Sequence, residues 1–82
     1  MHEMGIANSV IEAVRVEIAR HPGARASKVG LRLGEWSGMD VESLRFCLEV
    51  LVQGTELEPL ALDIDFRPRG SELDIAYLEL ED

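Results

Sequence analysis

Cysteine is nearly absent from this 82-residue chain. Cys47 stands alone, so neither a disulfide framework nor a thiolate zinc site can form within one molecule. A reducing compartment, the cytoplasm, is the expected setting. Basic residues are scarce too: eight Lys and Arg against sixteen Asp and Glu leave a formal charge of −8. That balance argues against nucleic acid or an anionic membrane as a partner, because neutralising phosphate takes a basic stripe. Cations and basic protein surfaces suit it, and so does solubility alone. No apolar run approaches the roughly 18 residues of a membrane span, and the N-terminus lacks the apolar stretch of a signal peptide, so a soluble, unprocessed protein is expected. Two histidines and no glycine-rich phosphate loop leave little from which to build an enzyme.

What is present describes one small domain. Hydrophobic content is 46%, ordinary for a globular chain. From Met4 to Arg20 the residues Ala7, Val10, Ile11, Val14 and Ile18 recur every three or four positions, which predicts a helix with one apolar face. His21-Pro22-Gly23 stops it. Val29, Leu31 and Leu33 then alternate with Lys28, Gly30 and Arg32, the pattern of a strand with one wet face. Trp36 sits in a turn bracketed by Gly34 and Gly38, as a partner anchor or a lid over the core.

A second helix is predicted from Asp40. With Asp40 as N-cap, Met39 and Leu44 fall at the two positions of a hydrophobic staple, and Glu42 lies in the first turn, where the helix dipole favours a carboxylate. Leu44, Cys47, Leu48 and Leu51 form its buried stripe and Gly54 ends it. Two alternating runs follow, Leu60-Leu62-Ile64-Phe66 and Leu73-Ile75-Tyr77, with RPRGSE between them as a hairpin-like return. The order helix-strand-helix-strand-strand gives an α+β, two-layer sandwich in which two helices cover one face of a three-stranded mixed sheet. The partly apolar edge IAYLEL is a candidate for pairing with a second copy, a homodimer by strand exchange.

MHEMGIANSVIEAV, KVGLRLGEWSG, ESLRFCLEVLVQGT and ELDIAYLELED together resemble the HypA/HybF family of nickel metallochaperones for hydrogenase maturation, across essentially the whole chain. The resemblance implies a single nickel-binding domain over residues 1–82. It also implies Ni(II) at the opening Met1-His2-Glu3, with a hydrogenase large-subunit precursor and a maturation GTPase as partners. One departure is large. The family carries a zinc-binding domain with two Cys-x-x-Cys pairs between its second and third strands, where this chain has only the short loop 67–72. Zinc is therefore not expected.

Nickel(II) accepts nitrogen donors in a square-planar arrangement. The Met1 amine and the deprotonated His2 amide can close one chelate ring, that amide and the His2 imidazole another, and the Glu3 amide can supply a fourth donor. Glu3 has three readings for its carboxylate: an axial donor, a group orienting the imidazole, or a charge favoured at a helix start. Asp40 has two, helix cap or carboxylate near the metal. His21 and Cys47 read as a helix-end imidazole and a core residue. The competing reading of the whole chain is a minimised or engineered protein-interaction scaffold without useful metal affinity.

Overall fold

The computed structural model describes residues 3–82. It contains helix α1 (Glu3–Ala19), strand β1 (Arg25–Gly34), a 3-10 turn (Glu35–Ser37), helix α2 (Val41–Val52), and strands β2 (Ala61–Arg67) and β3 (Leu73–Glu81). The predicted order and the α+β class both hold, with the two helices packed against each other on one face of a mixed sheet.

Local chemistry explains the boundaries. Asp40 caps α2, its Oδ2 accepting from Ser43 N at 3.3 Å and Ser43 Oγ at 2.7 Å. Met39 and Leu44 are both buried, as a hydrophobic staple requires. At the far end Gly54 takes the left-handed conformation (φ 76°) just past the last turn, where a side chain would be strained. α1 ends at the predicted site, and His21 Nδ1 lies 2.9 Å from the Glu17 carbonyl, closing the last turn.

The sheet order is β2-β1-β3, with β1 central, parallel to β2 and antiparallel to β3. The hairpin-like return is therefore wrong. β2 and β3 are not neighbours, and residues 68–72 carry the chain across the end of β1 instead. The crossing is close. Gly34 N donates to Glu72 O at 2.7 Å, Trp36 N to Gly70 O at 2.8 Å, and Arg69 N to Glu35 Oε1 at 2.9 Å. A Cβ on Gly34 would stand 2.3 Å from Gly70 O, so only glycine lets the loop pass.

The predicted face of Tyr77 is also corrected. Leu73 and Ile75 point toward the helices opposite Leu33 and Leu31, but Ala76 has no partner on β1 and forms a bulge. The extra residue shifts the alternation. Tyr77 turns to the outer face, opposite Gly30, while Leu78 and Leu80 take the inward positions. Its ring lies over Gly30, where a Cβ would come within 2.1 Å of it, and its hydroxyl donates to Asp63 Oδ2 on β2. One side chain thus spans all three strands.

The core joins Ala7, Val10, Ile11 and Val14 of α1, Val29, Leu31 and Leu33 of β1, and Leu44, Leu48 and Val52 of α2. No polar or charged residue is buried among the described residues, so the cohesion is apolar packing. Trp36 takes no part in it: at 66% exposure it lies outside the core, which rules out the lid.

Candidate metal centre

The first residue of α1 and the N-cap of α2 meet at one end of the molecule. The path to Asp40 is set by the turn after β1, where Gly38 adopts φ 85° and Ser37 Oγ accepts from Met39 N at 3.2 Å. Glu3 Oε2 then accepts from the Asp40 amide at 3.2 Å. Hydrogen bonding from that N–H to the charged form holds the Glu3 carboxyl below its ordinary range. The Glu3 side chain and the Asp40 backbone, 37 positions apart in sequence, thus close the two helix starts on one another.

Of the four predicted site residues, Glu3 and Asp40 are brought together, whereas Met1 and His2 lie outside the described residues. Glu3 sits in the first turn of α1, where its charge suits the dipole, and also ties α1 to α2. Asp40 is a helix cap. Neither carboxylate makes a centre alone: among the described residues no group of three or more His, Cys, Asp or Glu is disposed to hold a metal ion. Cys47 is half-buried on α2. His21 lies beyond the opposite end of α1, held by its contact with the Glu17 carbonyl.

Two features of this end had no reading in the sequence. The crossing of residues 68–72 over β1 sets Gly70 against Trp36, four residues before Asp40, so loop, turn and both helix starts share one end of the fold. Arg69, a non-glycine residue in the left-handed region (φ 63°), is held there by the Glu35 carboxylate. The adjacent glycines of the GSELD and RLGEW segments were the visible signal of a close approach.

The family profile described as "HypA: Hydrogenase/urease nickel incorporation, metallochaperone, hypA" matches residues 1–79. This chain belongs to the HypA family. Its relatives include the hydrogenase maturation factor HypA of Methanopyrus kandleri, 47% identical over 66 residues that cover 79% of this chain and 46% of that protein. HypA of Chlorobium limicola is 42% identical over 65 residues, covering 79% and 56%. HybF of Salmonella typhimurium is 32% identical over 68 residues, covering 83% and 60%. The chain thus spans about half the length of the curated relatives it matches. The solution structure of the nickel metallochaperone HypA from Helicobacter pylori shares the fold, with a TM-score of 0.74 at 19% identity, over 94% of this chain and 72% of that one. This HypA-family chain has no helix, among the described residues, long and apolar enough to cross a membrane.

Proposed function

We propose that the chain is a nickel-carrying domain that binds Ni(II) as cargo at Met1-His2-Glu3 and passes it on in the maturation of a nickel-iron hydrogenase. The observation that carries the reading is that the family match begins at residue 1, so that the opening tripeptide lies inside it. The donor set fits the ion: an amine, amide nitrogens and an imidazole on adjacent residues suit square-planar nickel. The Glu3–Asp40 contact supports a carboxylate role beside that chelate, because it holds the α1 start against the α2 cap. The role is carriage, not catalysis. A terminal chelate suits delivery, since a carrier must release its ion. A hydrogenase large-subunit precursor as acceptor and a maturation GTPase as companion belong to the same reading. So does folding without zinc, given that Cys47 is the only thiol in the sequence.

The test is a nickel titration of untagged protein whose intact first residue is established by mass spectrometry. His2→Ala should abolish most binding while the circular dichroism spectrum stays unchanged. Placing Gly-Ser ahead of Met1 should weaken binding by orders of magnitude, because it converts the amine to an amide and leaves every side chain in place. Undiminished binding by both variants would remove the N-terminal site and leave an interaction scaffold.

A further inference from the structure

The sheet has two edges, and they are not equivalent. Among the described residues β3 pairs only with β1, which leaves its outer backbone row free. Beyond that row, α1 overhangs the sheet. Two adjoining clefts meet at Ile75: one lies under the first half of α1, between Ile6, Val10 and Leu73, and the other under its second half, between Ala13, Val16 and Leu78. They form a mostly apolar trough along β3, with Asp74 lining one end and Glu17 and Arg20 the other. Val16, on the rim, is 51% exposed.

In the segment Tyr77–Glu81, past the bulge at Ala76, every residue of β3 has a partner on β1, and the extra residue of the second irregularity, Ser27, belongs to β1. Within this segment the inward side chains are Leu78 and Leu80, half-buried against the core, and the outward ones are Tyr77, Glu79 and Glu81. A strand laid alongside would place alternate side chains in the trough and beside those carboxylates. A second copy of β3 fits poorly, because its own Asp74, Glu79 and Glu81 would meet the same acids in a chain of net charge −8.

We propose that the free edge of β3 captures an extended segment of a partner protein whose side chains alternate apolar and basic. Backbone hydrogen bonds to Tyr77–Glu81 supply the attachment, and the two rows of side chains supply the selectivity. The apolar row enters the trough under Ala13 and Val16. The basic row meets Glu79 and Glu81 from the side away from β1, so that these acids, which already face Lys28 and Arg25 there, are flanked by bases on both sides, and the net negative field of the domain steers the segment in. This surface makes no use of nickel, so it stands or falls apart from the N-terminal chelate.

The probe is a blocked heptapeptide, Lys-Val-Lys-Val-Lys-Val-Lys, titrated into the full chain by NMR, with Glu-Val-Glu-Val-Glu-Val-Glu as control. The basic peptide should shift the backbone amides of Tyr77–Glu81 and slow their exchange with solvent, whereas the acidic one should do neither. Val16→Lys, which alters an exposed position and should leave the fold intact, should weaken binding about tenfold by putting a charge at the trough mouth. Glu79→Gln should weaken it a few-fold and flatten its salt dependence. Equal binding of both peptides, no shifts with either, shifts centred instead on the exposed apolar side chains Phe46 and Val50 of α2, or β3 amides protected in a self-associated free protein would each overturn the proposal.

Discussion

The two faces of the sheet are built on opposite terms. On the helix-bearing face Val29, Leu31 and Leu33 of β1 are almost wholly buried, and the contact is apolar throughout. On the outer face the same strand presents Arg25, Lys28 and Arg32, and β3 answers each with an acid. Arg25 Nη2 lies 3.0 Å from Glu81, Lys28 stands opposite Glu79, and Arg32 makes two 2.9 Å bonds to Asp74. These pairs are exposed to solvent, which screens them, so they add little to stability. What they fix is alignment: a one-residue slip of β3 would send every acid to the apolar side. Stability thus comes from one face and register from the other.

That division can be broken from either side, and the helix-bearing face should yield most. Leu48→Ala, at a nearly fully buried position on α2, should cost about 2–5 kcal/mol. Chemical denaturation would read this as a lower midpoint, and an unchanged midpoint would mean that α2 is not held by its apolar stripe. On the outer face the largest effect should come from Gly34→Ala, because the new methyl would meet backbone of the crossing loop rather than a movable side chain. About 1–3 kcal/mol is expected, with the amides of Gly34 and Trp36 losing protection from exchange. Retained protection would show that the loop does not cross here.

The smallest effect belongs to Tyr77, and it appears only in alkali. Its hydrogen bond to Asp63, reinforced by partial burial and that carboxylate's charge, pushes the phenol up to about 12. The folded state therefore holds the phenolic proton more tightly than the unfolded chain, whose phenol titrates near its ordinary value of about 10. The resulting stabilisation is fully present below pH 10 and is lost as pH rises from there toward 12. Tyr77 is the only tyrosine, so tyrosinate absorbance reports it alone. Gly30→Ala, which puts a methyl where the ring lies, should return the titration toward the ordinary value. Tyr77→Phe should flatten stability over the same alkaline range. A parent protein titrating near 10 would show that the strap across the strands does not form.

Most of the fold was legible because its signals are local. The three- and four-residue spacing from Ala7 to Ile18, the Asp40 cap and the left-handed Gly54 each act within a few residues, and each structural element lies where those signals place it. Which strands pair is a different kind of fact. RPRGSE has the length of a hairpin, but β1 is the strand that carries bases to match the acids of β3. β1 takes the centre, and it is also the most deeply buried of the three strands. The complementary row of Arg25, Lys28 and Arg32 was visible in the sequence, yet it gains meaning only once the strands are aligned. A single inserted residue, Ala76, was enough to reverse the face of Tyr77. At the candidate site, Asp40 was legible as a cap, but the contact of Glu3 with its amide joins residues 37 positions apart. No local pattern encodes such a contact.

The crossing between β2 and β3 bears on how much chain this fold can hold at that point. Both strands bond to β1 and not to each other, so the sheet's hydrogen bonding is complete on either side of Arg67 and Leu73 whatever links them. Lengthening the link would cost chiefly loop-closure entropy, about 0.6 kcal/mol for each doubling of a flexible loop, and no ladder bond. Five residues suffice here because Gly34 and Gly70 let backbone pass over backbone. A far longer excursion, even a folded domain, could leave and return at the same two points without disturbing the strand order, which makes this connection the natural port for insertion and deletion in the architecture.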